Sequence, residues 1–154
     1  MMEIERKWLV DKSKLPELPV KKVVADINVW DVIQGYLNSE NDEWLIRVRS
    51  VNNFYFWLEL KSKGLLSREE IRYAISNMEF QITLRECKKV VEKRRYSLYD
   101  GDIRYEIDFY KDYDFVTCEV EFDSEEEANN FEAPDWCIKD VTYDPYYKNV
   151  NLAK

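Results

Sequence analysis

Glu3-Ile4-Glu5-Arg6-Lys7-Trp8-Leu9-Val10 places two acids and a base at alternate positions of a segment that otherwise reads as a β-strand. Successive strand side chains point to opposite faces, so Glu3, Glu5 and Lys7 share one face. At a rise of roughly 3.3 Å per residue the two carboxylates stand about 7 Å apart, close enough to hold a hard cation beside an ammonium that meets an anion. Alone the pattern is ordinary, because a solvent-facing strand often mixes Glu and Lys. Its weight depends on whether other strands repeat it.

They do. Residues 29–38, 43–51, 54–61, 68–75, 90–99, 102–110 and 115–122 carry the β-branched and aromatic bias of strands, which with 3–10 makes eight. Asn52-Asn53 and Asp100-Gly101 separate neighbouring runs, the second with the chemistry of a type I′ turn, so neighbours are expected to be antiparallel. Arg47 and Arg49 oppose Ile46 and Val48, and Glu59 and Lys61 oppose Leu58 and Leu60. Arg68, Glu70 and Arg72 share a face, as do Lys93 and Arg95, then Arg104, Glu106 and Asp108, and finally Glu119 and Glu121. An open sheet with one wet face accommodates this pattern, and so does a closed barrel with a charged interior and an apolar exterior covered by helices. The dominance of Arg, Lys, Glu and Asp over Ser, Thr, Asn and Gln on these faces favours the barrel. The expected fold is therefore α+β, mainly β.

Two helices interrupt the strands, at 77–87 and at 124–131. The second opens Ser124-Glu125-Glu126-Glu127, the pattern of a capping box. The aromatic tail from Trp136 to Lys154 is expected to pack on the body.

Composition narrows the chemistry. The chain has 154 residues, the size of one domain over 1–154, and no apolar run approaches the ~20 residues that cross a membrane. Its opening is too acidic to read as a signal peptide, and a cytoplasmic protein is expected. There is no histidine, and Cys87, Cys118 and Cys137 show no metal-binding spacing, so any metal must be held by oxygen. Three glycines leave no phosphate-binding glycine loop, so phosphate would be held by side chains. A net charge of −8 argues against a nucleic-acid partner. The oligomeric state, a homodimer included, stays open.

Taken in order, Glu3-x-Glu5-x-Lys7, Gln34-Gly35-Tyr36-Leu37, Arg47-x-Arg49, Leu60-Lys61, Ser67-Arg68-x-Glu70, Lys93-x-Arg95-Tyr96, Asp108, Glu119-Val120-Glu121-Phe122, Val141-Thr142 and Tyr147-x-Asn149 resemble the CYTH, or triphosphate tunnel metalloenzyme, superfamily over nearly the whole chain. The resemblance implies an eight-stranded antiparallel closed barrel with flanking helices that binds a triphosphate and one or two divalent cations. By that resemblance Glu3, Glu5, Glu119, Glu121 and Asp108 would hold metal, Mg²⁺ or Mn²⁺ given oxygen-only ligands. Lys7, Arg47, Arg49, Lys61, Arg68, Lys93 and Arg95 would hold phosphate oxygens. Lys61, Lys93 and Glu5 would be catalytic, one lysine serving as the base that histidine cannot supply here.

Arg6, Glu92, Arg94 and Arg104 are assigned to surface or helix contacts, and Glu70 to holding a cationic side chain. Arg72 stands where the family often has a second acid, and Tyr146 where it often has a base. The expected activity is metal-dependent hydrolysis of a small-molecule triphosphate, inorganic triphosphate first, since the short chain has almost no insertion for a base pocket. A class IV-type adenylyl cyclase and a non-catalytic polyphosphate or nucleotide binder are the alternatives.

Overall fold

A computed structural model describes residues 1–154 and contains all eight expected strands, as β1 (Met2–Val10), β2 (Val29–Tyr36), β3 (Trp44–Val51), β4 (Tyr55–Ser62), β5 (Ser67–Ala74), β6 (Lys89–Asp100), β7 (Ile103–Tyr110) and β8 (Val116–Glu121). They are hydrogen-bonded in the order β5-β4-β3-β2-β6-β7-β8-β1, and a further β1–β5 pairing closes the ring. The opening segment makes that closure. Met2 to Ile4 pair with β5, whereas Glu5 to Leu9 pair with β8 along the other edge. A short ninth strand, β9 (Cys137–Asp140), which the sequence reading did not include, covers the edge of β1 beyond β5. No helix is long and apolar enough to cross a membrane.

The turns are set by side chains that tolerate unusual backbone. Asn52 and Asn53 both take left-handed φ, 57° and 50°, and the Phe54 N–H donates to the Val51 carbonyl at 3.0 Å, the type I′ pattern. At the second hairpin Asp100 pairs with Ile103, so the turn centres on Gly101-Asp102, one residue later than expected. Only Gly101 there has positive φ, at 58°.

The outer face of the barrel is apolar, and the helices cover it. Helix α1 (Asn77–Glu86) is held at its start by a complete capping box between Ser76 and Glu79. It lies against β2 at Gly35, where a Cβ would come within 2.8 Å of Leu84 and of the Cys87 sulfur, and its buried Phe80 packs on Phe56. Helix α2 (Glu125–Asn130) follows Ser124, whose hydroxyl accepts from the Glu127 N–H. The reciprocal bond expected from Glu127 is not made. Phe131 and Trp136 then cover Trp8, Val10, Ile107, Val116, Cys118 and Val120. Arg6 points outward and donates to the Ala128 and Phe131 carbonyls at the end of α2.

The aromatic tail does pack on the body. Val150 and Leu152 of α3 (Asn149–Leu152) sink among Tyr36, Leu45, Val91 and Tyr110, and Lys154 and Val90 exchange both backbone hydrogen bonds. The tail thereby stoppers one end of the barrel. The other end, bounded by Trp30, Arg72, Asp102 and Arg104, is open, with the Arg72 and Arg104 side chains 40% and 37% exposed.

Candidate active site

Inside the barrel is a cavity of about 530 Å³ lined by eight basic and eight acidic side chains. Only five of the 23 lining residues are hydrophobic, so the interior is electrostatic where a small barrel is otherwise packed with apolar side chains. Equal numbers of each sign mean that the cations alone do not set its charge. How they are paired decides what can bind.

Glu3, Glu5 and Glu121 each place a carboxylate oxygen within 4.8 Å of the others. Glu3 and Glu5 are neighbours on one face of β1, and Glu121 stands directly across from Glu5 on β8. Burial opposes ionisation of Glu3, but the nearby Lys61 and Arg68 outweigh it and bring its carboxyl down to about 2. Glu5 goes the other way: burial, then Glu119 and Glu3, push it well above the carboxylate range. Glu121 is raised to about 7 by burial, Glu106 and Glu3. A cluster that contains two carboxyls unable to ionise freely, all of them oxygen donors, fits a divalent hard cation, which would relieve their repulsion.

Glu119 and Asp108 were expected as further metal ligands, and the structure gives both of them cationic partners instead. Asp108 is wholly buried with both oxygens in use: Lys93 Nζ and Arg95 Nη2 donate to Oδ2 at 2.8 Å each, and Arg95 Nε donates to Oδ1 at 2.7 Å. It lies outside the carboxylate cluster because its place on β7, opposite Arg95, faces cations. Glu119 accepts from Arg95 at 3.2 Å and stands 3.5 Å from the Lys7 ammonium. Both acids set cationic side chains in place.

Most cations are similarly anchored. Lys61 lies 2.9 Å from Glu3 and 2.9 Å from Glu70, the cation-holding contact expected of Glu70. Arg68 lies 3.5 Å from Glu3. Arg95 also reaches Glu106 at 2.8 Å. Arg47 donates Nε to Glu59 at 2.8 Å, and Arg72 donates to the other oxygen of Glu59 at 2.9 and 2.6 Å. Lys7 sits at the stoppered end, its ammonium donating to the Tyr147 carbonyl at 2.6 Å.

Arg49 is different. It is buried, and neither its Nε nor its Nη2 has a partner. Three N–H donors, one on Nε and two on Nη2, are thus left without acceptors on a residue that lines the cavity, an unmet demand that phosphate oxygens would supply. Lys93 is the second unusual cation: burial first, and Arg95 second, lower it to about 7 against the pull of Asp108 and Glu119.

Sequence reasoning passed over five residues that matter here. Glu59 and Glu106, on the correct faces, fix Arg47 and Arg95, and acid-base alternation was the available signal. Arg104, assigned to the surface, lines the cavity mouth. Trp30 and Trp57 line that mouth too, and nothing in their immediate sequence marks them. Arg94 and Glu92 do lie outside, paired with Asp31 and Lys111. Tyr146 is exposed, stacked edge-on against Tyr147.

This architecture has known relatives. An inorganic triphosphatase of Nitrosomonas europaea is 36% identical, the alignment covering 99% of this chain and 97% of the relative. One of Acetivibrio thermocellus is 33% identical over 99% of this chain and 93% of its own length. A crystal structure of an inorganic triphosphatase superposes with a TM-score of 0.68 at 32% identity, covering 98% and 97% of the two chains. A Pyrococcus horikoshii protein, TM-score 0.60 at 18% identity over 82% and 83% of the chains, shares the fold. The sequence pattern of the CYTH domain matches residues 1–151, and with the closed barrel, its charged lumen and these relatives it places the chain in the CYTH domain family.

Proposed function

We propose that the protein is a divalent-cation-dependent triphosphatase whose substrate is inorganic triphosphate, hydrolysed to pyrophosphate and orthophosphate. One observation carries the reading: a carboxylate triad, Glu3, Glu5 and Glu121, shares a cavity with the unpartnered guanidinium of Arg49 and a ring of further cations. A tunnel that wants both a hard cation and an oxyanion suits a metal-complexed polyphosphate. The two inorganic triphosphatases that match almost end to end point to the same substrate.

Glu3, Glu5 and Glu121 would hold Mg²⁺ or Mn²⁺, which would supply positive charge to offset that of the phosphate oxygens. Arg49, Arg47, Arg95, Arg68, Lys7 and Lys61 hold the chain of phosphates extended along the barrel, the arginines with paired donors. Apart from Arg49, their own carboxylate partners keep them rigid, so little ordering remains when substrate binds. Glu59, Glu106, Asp108, Glu119 and Glu70 act in this positioning role.

Water attacks the terminal phosphorus, the anhydride P–O bond breaks, and pyrophosphate departs. Lys93, lowered to about 7, is partly neutral at physiological pH and can take the proton of that water on Nζ, with Asp108 then stabilising the ammonium. Lys61, held between Glu3 and Glu70, is placed to bind phosphate. Free Cys87, Cys118 and Cys137 suit a reducing compartment, consistent with the cytoplasm.

The test is phosphate release from inorganic triphosphate, pyrophosphate and ATP with Mg²⁺, Mn²⁺ or a chelator. The proposal expects metal-dependent release from inorganic triphosphate. Cyclic AMP from ATP without phosphate release would identify a cyclase instead, and tight binding without turnover a sensor.

A further inference from the structure

The wall of the lumen carries two amide side chains among its charges, Gln34 and Asn149. Asn149 is occupied, its Oδ1 accepting from the Tyr110 hydroxyl at 2.8 Å. Gln34 is not. It is 1% exposed, and its Nε2 donates to the Tyr36 hydroxyl at 3.0 Å, which leaves Oε1 with no hydrogen bond inside the protein. The only side-chain atoms both sealed from solvent and unpartnered are those of Arg49, so the Gln34 oxygen opens on the lumen. Charge favours this orientation of the amide, with oxygen and not N–H₂ toward a cavity rich in cations.

Register puts that oxygen where a nucleophile is needed. Gln34 stands directly across from Arg49 on β3 and from Val91 on β6, which makes Lys93 its diagonal neighbour. Diagonal neighbours lie about 7–8 Å apart at the backbone, within reach of long side chains and with room for a water between their tips. The strand is backed at this point by α1, since Gly35 lies against Leu84 and Cys87. Competing acceptors are already in use. Glu106 and Glu119 accept from Arg95, Glu3 and Glu70 flank Lys61, and Glu5 and Glu121 belong to the triad.

We propose that Gln34 positions the attacking water. One O–H of the water donates to Gln34 Oε1, the other proton passes to Lys93 Nζ, and the oxygen is turned toward the terminal phosphorus. The anhydride P–O bond breaks with its electron pair on pyrophosphate, and the O–H held by Gln34 stays on the new orthophosphate. A neutral amide suits this place, because a carboxylate there would favour the ammonium form of Lys93. A glutamine orients the attacking water in the same way in GTP hydrolysis. The role rests on the reading of the lumen as a hydrolytic triphosphate site in which Lys93 takes the proton. Because Gln34 meets the nucleophile and no phosphate, its loss should slow turnover without weakening binding.

The test measures phosphate release from inorganic triphosphate and, by calorimetry, binding of its non-hydrolysable methylene-bridged analogue, both with Mg²⁺. Gln34→Met keeps the length and removes the acceptor. Its kcat should fall about 100-fold, as for an ångström-scale misplacement, while Kd for the analogue stays within about threefold of wild type. Gln34→Glu returns an acceptor, so it should recover about tenfold of that loss in alkaline solution, with its rising pH limb about one unit above wild type because the new carboxylate favours the Lys93 ammonium. A Gln34→Met kcat within about threefold of wild type, a Kd weakened as much as kcat falls, or an unmoved limb in Gln34→Glu overturns the inference and leaves the tunnel reading standing. If Gln34→Met does not fold, the limb of Gln34→Glu decides alone. A wild-type protein that releases no phosphate overturns the hydrolytic reading and the inference with it.

Discussion

Glu59 is the residue whose removal should cost the fold most for the least change in shape. Glu59→Gln keeps the size and one carbonyl acceptor, but it takes the negative charge from between Arg47 and Arg72. The carboxylate is fully buried, Arg47 is 6% exposed and Arg72 is 40% exposed. Arg72 can turn to water, so its side of the loss is no more than about 1 kcal/mol, as for exposed pairs. Arg47 cannot, and stranding a buried charge costs about 3–5 kcal/mol, reduced here because the amide oxygen still accepts one bond. The expected loss is about 3 kcal/mol. At a urea m-value of roughly 1–3 kcal/mol/M, the unfolding midpoint should fall by about 1–3 M with the slope unchanged.

The pH dependence gives a second check on the same variant. Burial works against ionisation of Glu59, but Arg47, Arg49 and Lys61 prevail and hold its carboxyl far below the usual range. A lowered native value stabilises the fold fully above the unfolded value of about 4.3 and progressively less as pH falls below it. Variant and wild type should therefore differ at pH 7 and converge in acid. Because the variant tunnel is one unit more positive, inorganic triphosphate should restore more stability to it than to wild type. An unfolding free energy within about 0.5 kcal/mol of wild type at pH 7 would show that Glu59 does not hold Arg47.

Glu121→Gln should raise the Mg²⁺ concentration for half-maximal phosphate release by about tenfold or more without lowering the metal-free melting temperature, since it relieves repulsion among acids; wild-type metal dependence would remove Glu121 from the cluster. Arg49→Met should leave the ligand-free protein as stable or more so while losing most of the thermal shift given by inorganic triphosphate, and an undiminished shift would show that the free guanidinium is not the anchor. For Lys93, activity should rise with pH as Nζ loses its proton, from about 7 in the free enzyme and at higher pH in the substrate complex, where phosphate favours the ammonium. Lys93→Arg stays charged and should lose that rising limb, so an unchanged profile would reduce Lys93 to a phosphate ligand.

What the sequence made legible was period and position. Alternation put Glu3, Glu5 and Lys7 on one face, and the same rule placed Arg47, Arg49, Lys61, Lys93 and Arg95 in the lumen, because a period of two assigns every side chain once the strand is recognised. Eight such strands allowed closure, and the charge on their faces favoured a barrel over an open sheet. The pairing of those side chains was not legible, because it depends on register between strands far apart in the chain. Asp108 and Glu121 look alike as single acids on polar faces, yet one stands opposite Arg95 and the other opposite Glu5. The first is consumed by two cations, and the second is left among acids, where a cation would fit. Trp30 and Trp57 were hidden for a related reason: each reads as a strand residue, and only the meeting of β2, β3 and β4 at the same end of the barrel sets them around one pocket. In a barrel that binds through its interior, residue type thus fixes which groups face the ligand, and register decides which of them are still free to bind it.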